Sequence, residues 1–294
     1  MAQILDGTAA ARAIRAELKT EVEELKKHDV TPGLAAVLVG DNPASKIYVS
    51  MKQKACNKVG FHSEVITRPK DMTQAELNSL IGELNGRPDI HGILVQEPLP
   101  KQLSSLEMIM LVNPLKDVDG FHPANIGMML LGYPSFIACT PLGILELLRR
   151  NEISPSGKDV VILGRGNIVG KPLAVLLEQK WKGSNATVTV CHTGTKDVAS
   201  HTRRADIVIA AMGVPEFVTG EMVKDGCVIV DVGTNRVDDP STEKGYRLTG
   251  DVHFESCEKK ASFITPVPGG VGPMTIAMLL SNTLKACKIQ NDLE

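Results

Sequence analysis

The chain has 294 residues, of which 43% are hydrophobic and 3% aromatic, and its 32 Lys and Arg residues nearly balance 34 Asp and Glu residues. A net charge of −2 excludes a broad electrostatic grip on nucleic acid, and the low aromatic content disfavours a base-stacking surface. Because apolar runs are too short for a membrane helix, the N-terminus turns polar too early for a signal peptide, and the six cysteines are scattered, we expect a cytoplasmic protein with reduced thiols.

The first half of the chain alternates helical patterns with short apolar strands. We expect helices at 8–28, from Pro43 to about Lys58 and at 73–85, and strands at Leu34–Val39, Ser63–Thr67 and Gly92–Gln96. Asn42 is an N-cap before a proline at the first helical position, and Gly60 is a stop signal for the same helix. This alternation predicts an α/β fold with largely parallel strands.

The second half repeats the alternation after a predicted helix at 141–150. We expect a strand at Asp159–Leu163, further strands at Ala186–Cys191, Asp206–Ala210 and Cys227–Val232 that are each apolar enough to be buried on both faces, and helices at 170–180 and Met274–Ile289. A proline- and glycine-rich crossing occupies 262–273. The pattern predicts two domains, one spanning 1–138 and completed by the C-terminal helix at 274–294, the other spanning 139–273.

A glycine-rich turn with the sequence VVILGRGNIVGKP lies between a predicted strand and a predicted helix. Its glycines at 164, 166 and 170 suit a dinucleotide fold, in which the backbone approaches a pyrophosphate at a helix N-terminus. A P-loop is excluded because Pro172 stands where a magnesium-binding Ser or Thr is required. The alternative is a tight strand–helix turn without a ligand.

The end of the next predicted strand indicates which dinucleotide is bound. An NAD site places an acid there for the ribose hydroxyls, whereas this strand ends in VCHTGT, without an acid. Arg165, together with these hydroxyl and imidazole groups, suits a 2′-phosphate. NADP is therefore favoured, with a simply solvated Arg165 as the alternative.

Polar residues in the first half form a candidate catalytic group. Tyr48 and Lys52 are four residues apart and share one helical face, where the hydroxyl can hold the amine for proton transfer. Gln96 ends a buried strand, the position at which α/β proteins bind ligands, and Asp119 lies in a turn before Gly120. The alternatives are a solvated surface pair for Tyr48 and Lys52 and ordinary turn acids for Asp117 and Asp119.

Seven ordered segments over nearly the whole chain resemble the bifunctional methylenetetrahydrofolate dehydrogenase/methenyltetrahydrofolate cyclohydrolase family. They are YVSMKQKAC (48–56), GILVQEPLP (92–100), NPLKDVDGFHP (113–123), CTPLG (139–143), GRGNIVGKP (164–172), DVGTN (231–235) and ITPVPGGVGPMT (264–275). The resemblance implies an N-terminal α/β folate domain and a C-terminal Rossmann-like NADP domain separated by a cleft. It also implies a homodimer formed through the C-terminal domain.

The resemblance carries site roles over to matching positions. It implies catalytic roles for Lys52, Tyr48 and Gln96, with Tyr48 on the folate ring and Gln96 bonded to the lysine. Asp119 resembles the carboxylate that anchors the pterin, and Pro268, Gly269 and Gly270 resemble a loop closing over folate and nicotinamide. The cofactor-binding positions implied are Gly164, Arg165, Gly166, Ile168, Thr193 and Thr234, and no metal is implied.

The activity implied is oxidation of 5,10-methylenetetrahydrofolate to 5,10-methenyltetrahydrofolate with NADP, then hydrolysis to 10-formyltetrahydrofolate. One alternative is a monofunctional dehydrogenase of the same family with weak cyclohydrolase activity. Another NADP-dependent dehydrogenase would explain 159–234 but not the Tyr48, Lys52, Gln96 and Asp119 set. A catalytically silent nucleotide-binding regulator is disfavoured by the presence of Lys52 and Asp119.

Four departures from the family pattern bear on these roles. Glu97 replaces an apolar residue and adds a negative charge near Lys52. We expect this charge to affect the rate of the hydrolysis. Gly166 replaces a frequent serine, so one hydroxyl for the phosphates is lost. Thr234 replaces a frequent isoleucine that packs on the cofactor, and 179–184 is slightly longer than usual, as in a surface loop.

Overall fold

Two parallel β-sheets flanked by helices dominate the computed structural model, which describes residues 1–242 and 245–293. The strands are β1 (Gln3–Ile4), β2 (Gly33–Val39), β3 (His62–Arg68), β4 (Gly92–Val95), β5 (Asp159–Leu163), β6 (Thr187–Cys191), β7 (Ile207–Ala210), β8 (Val228–Asp231), β9 (Asn235–Asp238), β10 (Tyr246–Thr249) and β11 (Phe263–Ile264). The helices are α1 (Gly7–Lys26), α2 (Pro43–Val59), α3 (Gln74–Gly86), α4 (Ser105–Leu111), α5 (Pro123–Leu130), α6 (Cys139–Arg150), α7 (Gly170–Glu178), α8 (Val198–Thr202), α9 (Phe254–Glu258) and α10 (Val271–Gln290).

The chain divides into two compact units. The three-stranded unit consists of Arg12–Cys139 and Ile276–Glu294, and the six-stranded unit consists of Met1–Ala11 and Thr140–Thr275. The first eleven residues therefore group with the second sheet, whereas the sequence assigned them to the domain at 1–138. The reason is that β1 pairs in parallel with β11, with Gln3 opposite Phe263. A two-residue strand carries no periodicity from which this pairing could be predicted.

The three-stranded unit is built on a parallel sheet with the order β3-β2-β4. All seven residues of the central strand β2 are buried, as expected of a strand covered on both faces. Val37 belongs to a hydrophobic core that also contains Leu77, Ile81 and Leu84 of α3. Because β2 and β4 are parallel, their carboxyl ends lie on the same side of the sheet, and Gln96 follows β4 at that side.

Helix α2 has the ends that its sequence predicts. The Asn42 Oδ1 accepts hydrogen bonds from the backbone N–H groups of Ala44 and Ser45 at 3.0 and 3.2 Å, and Pro43 occupies the first helical position. Gly60 ends the helix with a φ of 89°, in the left-handed region that favours glycine. The predicted cap and stop are confirmed, and together they fix where the helix that carries Tyr48 and Lys52 begins and ends.

The six-stranded unit is built on a parallel sheet with the order β1-β11-β8-β7-β5-β6. Strands β7 and β8 are fully buried, as predicted. The prediction that the strand near Ala186–Cys191 is buried on both faces is wrong, because β6 is an edge strand whose Thr187 is exposed and whose next three residues are half-buried. The hydrophobic core of the six-stranded unit includes Val161, Val208 and Ile229.

Three further features differ from the prediction. An antiparallel hairpin pairs β9 with β10, and its mostly polar strands carry little of the apolar pattern that marks a buried strand. Helix α10 begins at Val271, earlier than the predicted Met274, because Pro273 lies in its first turn, where a missing N–H leaves no helical bond unmade. Within the predicted crossing at 262–273, Phe263 and Ile264 form β11.

Residues 1–242 and 245–293, which the structure describes, contain neither a membrane-spanning helix nor a cluster of side chains that could hold a metal ion, and their cysteines are buried. In that part of the chain no helix is long and apolar enough to cross a membrane, and no group of His, Cys, Asp and Glu side chains is placed to hold a metal ion. The six cysteines are all unpaired and buried. Three of them, Cys56, Cys139 and Cys287, belong to the three-stranded unit, and the others belong to the six-stranded unit.

The turn between β5 and α7 depends on two of its three glycines. Gly164 has a φ of 110°, and a Cβ at this position would lie 2.2 Å from the carbonyl oxygen of Ala211. A Cβ on Gly170 would lie 2.2 Å from the carbonyl oxygen of Gly164, so the helix start lies directly against the strand end. Around Gly166, in contrast, no atom lies within 4 Å of the Cβ position.

We expect Gly164→Ala to lower the free energy of unfolding of the six-stranded unit by more than about 1 kcal/mol, since the backbone must shift and φ is unfavourable. Gly166→Ala is the matched control, and we expect it to stay within about 0.5 kcal/mol of the parent. Denaturant unfolding followed by fluorescence of Trp181, the single tryptophan, measures both variants. Equal stability of the two variants would contradict the proposed role of Gly164.

Candidate active site

A lysine on α2 is joined to the end of β4 by a hydrogen bond between side chains. The Lys52 Nζ donates to the Gln96 Oε1 at 3.0 Å. Lys52 is half-buried, and Tyr48, one helical turn earlier, is 48% exposed. The structure thus brings together two residues that are 44 positions apart in the sequence and leaves the tyrosine ring open to a ligand.

Gln96 is held at both its backbone and its side chain. Its backbone N–H donates to the carbonyl of Val37 at 2.9 Å, so the residue continues the sheet just past the end of β4 at Val95. Its Nε2 donates to the carbonyl oxygen of Glu97 at 2.7 Å. Because the amide nitrogen is occupied there, the amide oxygen is the atom that faces Lys52.

Asp119 lies in a turn that is pinned from helix α10. The Asn282 Nδ2 donates to the carbonyl oxygens of Val118 and Ile137 at 2.8 and 2.9 Å. The Cys139 Sγ donates to the Val118 carbonyl at 3.3 Å and lies 3.8 Å from the Asp119 Oδ1. These contacts hold the backbone of the turn that carries the carboxylate.

The charges of these groups are coupled. Burial raises the pKa of Asp119 above its ordinary value, and the positive charge of Lys52 opposes that shift while the charge of Asp117 adds to it. Burial, with the Asp119 charge second, raises the pKa of the Cys139 thiol well above its usual range. Cys139 is therefore a protonated packing group at neutral pH and not a nucleophile.

Glu97, the charged departure from the family pattern, has a partner of its own. Its Oε2 accepts a hydrogen bond from the backbone N–H of Leu99 at 2.9 Å. The carboxylate is thus held on the turn that follows Gln96. This contact draws its charge toward the backbone of that turn.

The predicted cofactor residues lie at the carboxyl ends of the parallel strands in the six-stranded unit. Arg165, Gly166 and Ile168 follow β5 and are exposed, Ile168 to 57%. Thr193 and Thr234 follow β6 and β8 and are also exposed. Ligands of open α/β sheets bind at this edge, and the bare Gly166 leaves room for a phosphate beside the first turn of α7. The residues present therefore fit a dinucleotide.

The turn that follows β6 is stabilised by its own side chains. The Thr195 Oγ1 accepts from the backbone N–H of His192 at 3.0 Å, and the His192 Nδ1 accepts from the backbone N–H of Gly194 at 3.0 Å. These bonds leave the Thr193 side chain as the exposed hydroxyl of the turn. A preformed hydroxyl near an exposed arginine-bearing loop suits an anionic group.

The Pro268, Gly269 and Gly270 loop packs on the first turn of α1, a contact that the sequence did not reveal. The carbonyl oxygen of Gly269 accepts from the backbone N–H of Thr8 at 3.0 Å and from its hydroxyl at 3.3 Å. A Cβ on Gly7 would lie 1.7 Å from the carbonyl oxygen of Gly270. The two segments are about 260 residues apart, so no local pattern predicts the contact.

Two buried carboxylates, Asp231 and Asp251, were also missed as structural partners of the site. Asp231 is 3% exposed and Asp251 is 0% exposed. Burial raises the pKa of Asp231 to about 6, against the opposing effect of three backbone N–H donors. The available signal was an acid within two residues of a glycine in each of two segments, Asp231-Val232-Gly233 and Gly250-Asp251.

The sequence-predicted residues thus fall into two groups. The three-stranded unit contains Tyr48, Lys52, Gln96 and Asp119. Lys52 donates a hydrogen bond to Gln96, and its positive charge acts on the pKa of Asp119. The glycine-rich turn, Thr193, Thr234 and the Pro268–Gly270 loop lie in the six-stranded unit.

Comparisons with known proteins agree with this arrangement. Residues 5–119 match the family model described as the tetrahydrofolate dehydrogenase/cyclohydrolase catalytic domain, and residues 138–291 match its NAD(P)-binding domain. A protein of Syntrophobacter fumaroxidans named bifunctional protein FolD is 55% identical, over 99% of this chain and 98% of its own length.

Solved structures are similar over the same extent. The bifunctional FolD methylenetetrahydrofolate dehydrogenase/cyclohydrolase of Campylobacter jejuni is 48% identical with a TM-score of 0.93, covering 98% of this chain and 99% of its own. The Trypanosoma brucei enzyme, solved with NADP and an inhibitor, is 41% identical with a TM-score of 0.92 and 98% coverage of both chains. The chain belongs to the tetrahydrofolate dehydrogenase/cyclohydrolase family.

Proposed function

We propose that the protein oxidises 5,10-methylenetetrahydrofolate to 5,10-methenyltetrahydrofolate with NADP and then hydrolyses this product to 10-formyltetrahydrofolate. The observation that carries the proposal is the 3.0 Å bond between Lys52 and Gln96 beside the partly buried carboxyl of Asp119. It combines a proton-handling amine with an acceptor for the pterin. An unspecialised dehydrogenase needs neither group.

The six-stranded unit would hold NADP. The backbone around Gly164 and Gly166 would lie against the pyrophosphate, Arg165 and Thr193 would bind the 2′-phosphate, and Ile168 and Thr234 would contact the cofactor. The family's NAD(P)-binding domain and the relative from Trypanosoma brucei solved with NADP support this choice. When bound, the oxidised nicotinamide accepts the hydride that leaves the methylene carbon of the folate.

For the oxidation, the task of the protein is to orient the folate. The folate nitrogens supply electrons as the carbon–hydrogen bond breaks, so no strong base is required. Asp119 accepts hydrogen bonds from the pterin N–H groups, and the exposed ring of Tyr48 packs on the folate. Pro268, Gly269 and Gly270 complete the substrate-binding set. A fixed reaction geometry replaces the random encounter of two molecules.

For the hydrolysis, Lys52 is the residue that handles the proton. Water attacks the carbon between the two folate nitrogens, and the bond from that carbon to N5 breaks; one proton of the water passes through the Nζ of Lys52 to N5, and the other leaves to solvent. The Gln96 Oε1 accepts from that Nζ and keeps it in place, because the glutamine amide is itself tied to Glu97. The two activities thus use one folate site with different demands on Lys52.

We expect Lys52→Met to lower the hydrolysis rate by about 10²–10⁴-fold, the usual contribution of a general acid–base residue. The oxidation should lose less, because it needs no proton transfer. Absorbance of the methenyl product measures its formation from methylenetetrahydrofolate and, in a second assay, its decay.

Lys54→Met is the matched control, since this lysine is an exposed neighbour on the same helix. It should leave both rates near the parent values. An equal loss of both activities in Lys52→Met at saturating substrate, with the fold intact by circular dichroism, would contradict the division of labour.

We expect Asp119→Ala to weaken tetrahydrofolate binding by about 10–100-fold, the loss that removal of hydrogen bonds to a charged group produces. Isothermal titration calorimetry gives the dissociation constant for tetrahydrofolate and, as an internal control, that for NADP, which should not change. An unchanged tetrahydrofolate dissociation constant would remove the anchoring role.

The assembly and the compartment are proposed on narrower grounds. We infer a homodimer formed through the six-stranded unit from the family resemblance, and a cytoplasmic location from the six buried, unpaired thiols, which suit a reducing compartment. Sedimentation velocity at micromolar concentration should give twice the chain mass of 31.6 kDa. A species of single-chain mass would argue against the dimer.

A further inference from the structure

Asp251 connects the segments that follow two neighbouring strands of the six-stranded sheet. Its Oδ2 accepts from the backbone N–H groups of Met212 and Gly213 at 2.7 and 2.9 Å. Its Oδ1 accepts from the Asn235 Nδ2 at 2.8 Å. Met212 and Gly213 follow β7, and Asn235 follows Thr234 after β8, so one side chain fixes both segments.

Asp231 in turn fixes the segment that carries Asp251. Its carboxylate accepts from the backbone N–H groups of Gly233, Asp251 and Val252, each at 2.9 Å. A Cβ on Gly250 would lie 1.8 Å from the Asp231 Oδ2. The carboxylate therefore lies directly against the backbone, at a position where only glycine fits.

Holding a backbone with buried carboxylates carries a cost in desolvation free energy. Burying a carboxylate away from water is unfavourable unless hydrogen bonds replace those of the solvent. Within the described part of the chain, both carboxylates are bound by N–H groups of the backbone and of a side-chain amide, and not by a cation. The segments that Asp251 holds, after β7 and β8, are exposed at Gly213 and at Thr234. They lie at the carboxyl ends of β7 and β8, the edge at which an α/β sheet binds its ligand.

We propose that Asp251 is a positioning residue of the dehydrogenase reaction, which holds the segments after β7 and β8 in the geometry that binds NADP. Asp231 orients Asp251 by binding its backbone N–H. The inference rests on the proposed NADP-dependent activity. It assigns no contact between Asp251 and the cofactor, because the carboxylate is fully buried.

The family's second activity provides an internal control. Hydrolysis of 5,10-methenyltetrahydrofolate supplied directly needs no NADP, so a defect limited to the positioning of the cofactor leaves it unchanged. In Asp251→Ala, which removes three hydrogen bonds, we expect the KM for NADP to rise by about 10-fold or more while hydrolysis without NADP stays within about twofold of the parent.

Asp206→Ala is the matched control, because Asp206 lies at the amino end of a strand in the same sheet. Asp206 precedes β7, and its carboxylate accepts from the backbone N–H of Asp159 at 2.9 Å and from the Lys224 Nζ at 2.7 Å. This variant also loses bonds between a carboxylate and neighbouring loops, but far from the carboxyl ends of the strands. Its KM for NADP should remain at the parent value.

Asp251→Asn separates hydrogen bonding from charge. Its oxygen can accept from Met212 and Gly213 while its amide nitrogen donates to Asn235, provided that the Asn235 amide turns over. We therefore expect this variant to restore the KM for NADP to within about threefold of the parent. A loss as large as in Asp251→Ala would show that the charge acts directly, and would overturn the positioning role.

Should Trp181 fluorescence show that Asp251→Ala fails to fold, Asn235→Ala removes one bond and leaves the carboxylate in place. We expect its KM for NADP to rise by about 3–10-fold with hydrolysis retained. An unchanged KM in Asn235→Ala, or an equal rise in Asp206→Ala, overturns the inference. If the parent itself does not reduce NADP, the proposed function fails instead, which is a different result.

Discussion

The hydrogen bond between the Lys52 Nζ and the Gln96 Oε1 is the contact on which the chemistry of the folate site depends. A lysine side chain has four rotatable carbon–carbon bonds, so without a partner its amine samples a wide volume. The bond joins a lysine on α2, a helix whose N-terminus is capped by Asn42, to a glutamine that continues the ladder of β4 through Val37. The Glu97 carbonyl then takes the other end of the glutamine amide. Each step removes conformational freedom before substrate arrives, which is how a protein lowers the entropic part of a barrier.

The two units place charge for different purposes. In the three-stranded unit, Lys52 and Asp119 influence each other while both keep unused hydrogen-bonding capacity, which suits binding and proton transfer. In the six-stranded unit, Asp231 and Asp251 are almost wholly buried and satisfied by N–H groups, which suits the holding of a backbone. Under the proposed function, carboxylates thus bind a ligand in one unit and hold a backbone in the other, according to their exposure.

Much of the architecture could be predicted from the sequence because it depends on local patterns. Apolar strands between capped helices predicted the two parallel sheets, and the four-residue spacing of Tyr48 and Lys52 predicted their common face. The pairing of β1 with β11, the exposed edge at β6 and the support of Val118 by Asn282 depend on residues far apart in the chain, for which one sequence carries no signal. Likewise, the motif around Gln96 marked it as functional, but the direction of its amide follows from the Glu97 carbonyl, which a sequence pattern does not contain.

The burial of every cysteine has a practical consequence. Burial raises the pKa of Cys56, Cys227, Cys257 and Cys287 to about 11, so in the folded state their thiolate fractions at neutral pH are very small. Alkylating reagents can modify these thiols only after a local opening that lets water reach them. Since each unit contains three cysteines, the rates at which individual thiols are alkylated would record separately how often each half of the chain opens.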